Sequence, residues 1–292
     1  MAHLADRRPE NISGDFYVDS TCINCDTCRW MAPDIFSEVG SQSAVQHQPN
    51  NADERLRAMQ ALLACPTASI GTVEKPRDIK QVQHSFPIPI TETVYHCGYH
   101  AESSYGAASY LIQRPEGNVL VDSPRFTPPL VKRLEEMGGI RYLYLTHRDD
   151  VADHQKFQQH FGCERILHQA EINRSTQEVE IQLVGLEPVQ LAPDLLIIPV
   201  PGHTQGHTVL LYNNTVLFTG DHLAWSSDLH QLYAFRRACW YSWPELIVSM
   251  KRLAAYSFEW VLPGHGRRYH SDRQTMAVQM QKCLAWMENP AL

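Results

Sequence analysis

The sequence predicts an α/β protein in which helices flank sheet, with a small α+β module at its N-terminal end. Three observations predict it. Cysteines crowd into residues 22–65, short strands alternate with amphipathic helices in the rest of the chain, and histidine and aspartate recur where those strands end. Strands and helices in such a mixture pack as layers, sheet inside and helices outside.

Taken in order, residues 1–14 read as a disordered lead-in, and residues 15–19 as a short alternating strand that runs into the first cysteine. Residues 52–64 place Leu56, Met59, Leu62 and Leu63 at helical spacing, and Cys65-Pro66 stops that helix. Residues 69–72 close the module as a strand, so that 15–74 form one domain. Residues 75–89 mix charges and prolines without period and read as a linker. Residues 90–292 form the larger domain. Within it strands are expected at 110–112, 118–121, 141–145, 165–167, 178–183, 195–199, 208–212, 215–219 and 260–262. Helices are expected at 128–137, 152–161, 243–255 and 272–287.

Hydrophobic residues make up 43% and charged residues 20% of the 292, which is ordinary for a globular protein with a core. A net charge of −7 argues against a general nucleic-acid binder, although Arg236-Arg237 and Arg267-Arg268 could form local basic patches. No apolar run approaches the ~18–20 residues that span a bilayer. The first residues are polar and lack a secretory core, so the expected compartment is the cytoplasm or a plastid stroma, both reducing. There, clustered cysteines read as metal ligands and scattered ones, Cys97, Cys163, Cys239 and Cys283, as small buried hydrophobes.

Cys22, Cys25 and Cys28 stand at C-x2-C-x2-C spacing, and Cys65-Pro66 supplies a distant fourth thiolate. Two residues between thiolates let three of them face one cubane while the fold returns the fourth. This region resembles a bacterial-type ferredoxin with a single [4Fe–4S] cluster. Structural zinc is the alternative, but zinc ligands usually come as two separated pairs. Asp26 and Asp34 read as turn residues.

Five further elements occur in one order. They are Asp122, the run Thr146-His147-Arg148-Asp149-Asp150-Val151-Ala152-Asp153-His154, Pro201-Gly202-His203-Thr204-Gln205-Gly206-His207, Thr219-Gly220-Asp221-His222, and Pro263-Gly264-His265-Gly266. Histidine with aspartate is the ligand chemistry of zinc, iron or manganese. The series resembles the metallo-β-lactamase superfamily, which implies an αββα sandwich and one or two divalent metals, zinc or iron. The resemblance gives His147 and His203 to one metal, Asp221 as the bridge and catalytic residue together with His203, and His265 to a second metal. Asp122 would support the histidine loop by hydrogen bonds. The family's H-x-H-x-D-H element departs here. Asp149 stands in place of its second histidine, and Asp153-His154 arrives two residues late. With a longer loop, Asp153 and His154 bind the second metal. Without a gap they do not, and a two-histidine, one-carboxylate set suited to mononuclear iron remains. Asp149 is then either a carboxylate ligand, as in flavodiiron proteins, or a helix cap. His96, His100, His160, His168 and His230 read as structural.

The reading leads with a hydrolase of thioester or ester type, in which metal-bound hydroxide attacks a carbonyl or phosphoryl centre. A metal lowers the water pKa from about 15.7 to about 7. An iron oxidoreductase fed by the ferredoxin module, similar to flavodiiron proteins or persulfide dioxygenases, stands close behind. A redox or iron sensor without turnover is the third class. Expected partners are a small-molecule substrate, anionic if Arg236 and Arg237 clamp it, a redox protein, and a second copy of the chain. No membrane is expected.

Overall fold

The computed structural model describes residues 2–289. Met1 and residues 290–292, which belong to the expected lead-in and larger domain, lie outside the described residues. The chain forms two compact units, Met1–Arg141 with Ala152–Gly162, and Tyr142–Val151 with Cys163–Leu292. The division falls inside the expected larger domain and not at the expected linker.

In the first unit, β1 (Phe16–Val18) is followed by α1 (Thr27–Met31), the hairpin β2 (Phe36–Val39) and β3 (Gln42–Val45), α2 (Ala52–Ala64) and β4 (Ile70–Thr72). Strands β1 and β4 pair antiparallel. Helix α2 starts where the Asn51 side chain accepts the Glu54 N–H at 2.9 Å. The Glu54 carboxylate returns to the Asn50 N–H at 2.8 Å, which satisfies a second free donor. Residues 2–14 of the lead-in, expected to be disordered, are ordered. Arg8 is buried and donates to Ser43 O and Val39 O at 2.5 and 3.0 Å. Asn11 Oδ1 accepts the N–H groups of Val18 and Val45 at 3.0 and 2.9 Å. These side chains occupy backbone groups the strands would otherwise leave unpaired.

The expected linker also carries structure, a short helix α3 (Ile79–His84) that buries Val82. Asp78 before it takes a bidentate pair from Arg55 of α2, at 2.7 and 3.1 Å. Six residues are too few to show a period in sequence. Strands β5 (Ile88–Pro89), β6 (Val94–His96), β7 (Tyr110–Ile112) and β8 (Val119–Val121) then run as an antiparallel ladder. Helices α4 (Pro128–Glu136) and α5 (His154–Phe161) complete the unit and bury Leu130, Leu134 and Phe157.

The second unit holds three parallel strands, with β10 (Glu164–His168) between β9 (Tyr142–Tyr144) and β11 (Ile181–Leu183). A six-stranded sheet follows. Its strands are β12 (Val189–Ala192), β13 (Leu195–Pro199), β14 (Thr208–Tyr212), β15 (Val216–Gly220), β18 (Trp260–Pro263) and β19 (Tyr269–His270). A separate hairpin, β16 (Ala224–Ser226) with β17 (Gln231–Tyr233), leaves the chain after β15. Every residue of β14 and β15 is buried, as their unbroken apolar runs suggest for strands covered on both faces. Helices α6 (Trp243–Leu253) and α7 (Arg273–Met287) put Leu246, Met250, Met276 and Met280 into one core with Ile198, Val209, Leu217 and Val261.

The register of that sheet positions the chemistry. Strand β14 is antiparallel to both β13 and β15, and β18 is parallel to β15. Hence β13, β15 and β18 point the same way, and the residues after them, His203, Asp221 and His265, leave one edge together. Among the described residues, no helix is long and apolar enough to cross a membrane.

Candidate metal centres

Cys22, Cys25, Cys28 and Cys65 line one small pocket with Val18, Ile23, Thr27, Ser43 and Ile70, and all are free thiols. Burial pushes the Cys25 thiol up to about 11, and raises Cys28 as well, with the neighbouring cysteines adding to both. Four thiols gathered beside one another suit a cationic iron–sulfur group, whose charge would hold them as thiolates. The Ser69 N–H donates to Cys65 Sγ at 3.3 Å. Among the scattered cysteines, Cys97, Cys163 and Cys283 are buried, while Cys239 is only partly so.

The second centre lies wholly within the second unit. His147 Nε2 is 3.7 Å from Asp149 Oδ2 and 3.8 Å from Asp221 Oδ2. His203 Nε2 is 3.6 and 3.7 Å from the same two oxygens. At these distances none is a hydrogen bond, and both Nε2 atoms are buried without a hydrogen-bond partner among the described residues. Ligands about 2.1 Å from one tetrahedral ion lie roughly 3.4 Å apart, so a slight contraction would close this set on a metal. The donor set therefore fits the metal that the motifs imply. Asp149 is exposed and Asp221 buried, which leaves the centre open on the Asp149 side.

Around these residues the loops are held firmly. Asp221 Oδ1 accepts from His265 Nδ1 at 2.7 Å. His207 stacks on His147 with ring centroids 4.8 Å apart, and its Nε2 accepts the Asp221 N–H at 3.2 Å. Glu171, fully buried, accepts from the Arg148 N–H and Nε at 3.1 and 2.8 Å and from the Gly206 N–H at 2.6 Å. One carboxylate thus ties the His147 loop to the His203 loop. The N–H groups of Trp240 and Tyr241 both reach His203 O, at 2.9 and 3.0 Å. Gly220 has φ +48°, and a Cβ there would lie 2.5 Å from Thr146 Oγ1 and 2.8 Å from His207 Nε2. Gly220→Ala is expected to cost at least about 1–2 kcal/mol from the left-handed backbone alone. Thermal unfolding of the variant, at least several degrees earlier than the parent, would show it.

Burial lowers His147 to about 4 and His222 to about 3, and takes His207 well below 6.5. These imidazoles are neutral near pH 7, and His147 keeps a lone pair for a metal. Burial alone would raise Asp221, but His265, His147 and His203 together hold its carboxyl far below the usual range. The His203 imidazole, against the pull of burial, and then His147 hold Asp149 below that range too. The histidine shifts have a consequence for metal-free protein. Below about pH 6.5 the unfolded chain binds protons that the folded chain refuses, so stability falls with pH. Each such histidine contributes a loss of about 1.4 kcal/mol per pH unit until its folded pKa is reached. Urea midpoints of the metal-free protein at pH 7 and pH 5 should differ accordingly, and equal midpoints would contradict the shifts.

Of the residues singled out in sequence, His147, Asp149, His203, Asp221 and His265 come together. Asp153, His154 and His265 belong to neither group of potential ligands whose atoms lie within 4.8 Å of one another, His265 donating instead to Asp221 Oδ1. Those groups are His147, Asp149 and His203, and His147, Asp150 and Asp221. Asp153 serves α5 instead, preceding its first turn, accepting the Phe126 N–H at 2.8 Å and pairing with Lys156 at 2.7 Å. The reason is local, because the chain turns into a helix at His154 and carries both side chains with it. Asp122 is buried with φ +56°. Three residues escaped the sequence reading. Asp150 was visible only as the second acid of an acidic pair, and Glu171 carries no motif at all. His222 sits in the G-D-H element, is buried, and has no hydrogen-bond partner at either ring nitrogen among the described residues.

Residues 18–72 match the family model described as the 4Fe-4S single cluster domain of Ferredoxin I. A comparison with curated proteins gives no match. Among solved structures, the chain is similar to VMB-1 at pH 5.5, with TM-score 0.54, 17% identity, and coverage of 70% of this chain and 96% of that one. It is similar to the B3 metallo-β-lactamase BLEG-1, with TM-score 0.52, 16% identity, and coverage of 67% and 100%. It is also similar to the metallo-β-lactamase FIM-1 from Pseudomonas aeruginosa in its mono-zinc form, with TM-score 0.51, 16% identity, and coverage of 69% and 95%. At such identities the likeness establishes the fold. The chain has a metallo-β-lactamase fold and carries a single-cluster [4Fe–4S] ferredoxin module.

Proposed function

We propose that this chain, a metallo-β-lactamase fold with its own ferredoxin module, is a non-haem iron oxidoreductase that uses electrons arriving through that module. The observation that carries the reading is Asp149. Its carboxylate lies with His147 and His203, whose nitrogens also face Asp221 Oδ2, so that two imidazoles meet carboxylate oxygen where the family's motif would give a third histidine. Two histidines with carboxylate and an open side are the donor pattern of non-haem iron(II) oxygenases. Iron held there would supply one-electron chemistry at an open coordination position, with electrons relayed from the four-cysteine cluster.

The chain's own residues do the rest. His147 and His203 offer imidazole nitrogen, and Asp149 and Asp221 offer carboxylate oxygen. His265 fixes the orientation of Asp221, and Glu171 fixes the two loops that carry the histidines. Trp240 is exposed, with its ring 6.3 Å from that of His203. Arg236, which stacks over Trp243 at 5.3 Å, and Arg237 lie in the same segment and would draw a small anionic substrate. A redox partner protein would supply the module.

Hydrolysis is the second reading. It is supported by the names of the fold's neighbours, metallo-β-lactamases, one of them in a mono-zinc form. The same donors accept zinc. The test is to load the histidine site with iron or with zinc and follow reoxidation of the dithionite-reduced cluster by dioxygen. Reoxidation at least about tenfold faster with iron than with zinc, and lost in His203→Ala, supports the oxidoreductase. Equal rates, with thioester cleavage by the zinc form that ignores the cluster's redox state, would replace it by the hydrolase.

A further inference from the structure

Behind the cysteine pocket the first unit buries two histidines that neither metal centre uses. His96, His100 and Thr27 are each 1% exposed or less. His96 Nε2 and His100 Nε2 are 2.8 Å apart. His100 Nδ1 lies 2.6 Å from Gly106 O and 3.1 Å from Thr27 Oγ1. Thr27 Oγ1 in turn lies 3.4 Å from Cys25 Sγ. The Trp30 ring packs against both imidazoles, with centroids 5.1 and 5.9 Å away.

The direction of this chain follows from what each atom can do. A carbonyl oxygen only accepts, so the 2.6 Å contact to Gly106 O requires a hydrogen on His100 Nδ1. Neutral His100 must then accept at Nε2, and His96 Nε2–H donates to it. If His100 is instead cationic, its Nδ1–H is still there. In either state Nδ1 carries its hydrogen and offers Thr27 Oγ1 no lone pair, so the hydroxyl hydrogen must point elsewhere. Two acceptors are within reach, Gly106 O at 3.4 Å and Cys25 Sγ at 3.4 Å. Gly106 O already receives His100, whereas a cluster-bound thiolate carries charge and is the stronger acceptor. The approach is close on the other side as well. Gly106 has φ +85°, and a Cβ there would lie 2.8 Å from Cys25 Cβ and 3.0 Å from its Sγ.

We propose that His96, His100 and Thr27 form a buried hydrogen-bond relay that donates to Cys25 Sγ and sets the reduction potential of the [4Fe–4S] cluster. A donor at a ligand sulfur stabilises the more negative, reduced cluster and raises its potential. Thr27 and the histidines are positioning residues, acting on the cluster through Cys25. The proposal rests on the cluster assignment and not on the chemistry at the second centre.

The test is a dithionite titration of the intact, anaerobically purified protein followed by EPR. Thr27→Val keeps the shape and removes the hydroxyl. At fixed potential it should give about tenfold less reduced cluster, a midpoint lower by about 59 mV for a one-electron couple. Thr27→Ser should restore the parent value. An unchanged midpoint in Thr27→Val overturns the relay. If that variant holds no cluster, His100 gives the answer one link back. His100→Leu frees the hydroxyl to turn to Gly106 O and should lower the midpoint, whereas His100→Asn, with an amide where Nδ1 was, should not. Equal midpoints for these two variants overturn the proposal. Absence of labile sulfide in the parent protein would instead refute the cluster assignment.

Discussion

Asp221→Asn is expected to empty the histidine centre while leaving the cysteine cluster in place. Asp221 is the residue on which that centre converges. Its Oδ2 lies 3.8 and 3.7 Å from His147 and His203 Nε2, and its Oδ1 receives His265 at 2.7 Å. Asparagine keeps the volume but removes the charge, and puts an NH2 group where one of those contacts needs an acceptor. Loss of an outer partner typically weakens a metal site about 10–100-fold. Removing a charged ligand should therefore weaken binding by at least about 100-fold. Chelator competition on the purified variant measures this, with cluster absorbance as the internal control. Metal retained at the parent's affinity would remove Asp221 from the ligand set.

The second large effect is on stability. Glu171→Ala deletes a fully buried carboxylate that receives Arg148 and the Gly206 N–H. Burial would raise its pKa, yet Arg148 and the two backbone donors bring it below the usual range, so it is charged in the folded protein. Breaking a buried pair from one side costs about 3–5 kcal/mol. The lower end applies here because the Arg148 side chain is 38% exposed. Glu171→Gln keeps an acceptor for Gly206 and should lose less. Urea midpoints order the three proteins, parent above Gln above Ala. Because Glu171 ties the His147 and His203 loops together, metal affinity should fall in the same order. An Ala variant as stable as the parent would show the loops to be held by other contacts.

Much of the architecture could be read before the structure because its period was local. Helix α2 begins and ends at the expected residues, fixed by a cap at Asn51 and by Cys65-Pro66. Strands β7, β13 and β14 also fall where expected, since their apolar runs are uninterrupted. The hairpins β2–β3 and β16–β17 were not seen, because three or four residues cannot establish an alternation. His147, His203, Asp221 and His265 were legible because each follows a strand and three of them sit beside a glycine. The acids of the His147 loop were not separable by spacing. Whether Asp149 and Asp150 or Asp153 and His154 face the histidines depends on where α5 begins, which tertiary packing decides. The Glu171–Arg148 and Thr27–His100 contacts could not be found in sequence, since the partners are 23 and 73 residues apart.

Metal and acid-labile sulfide analysis of anaerobically purified protein, with EPR of the reduced form, tests the two-centre account most directly. The account predicts about four labile sulfides per chain, iron in excess of the cluster's own by about one, and little zinc. Protein lacking labile sulfide, or carrying zinc in place of the excess iron, would contradict it.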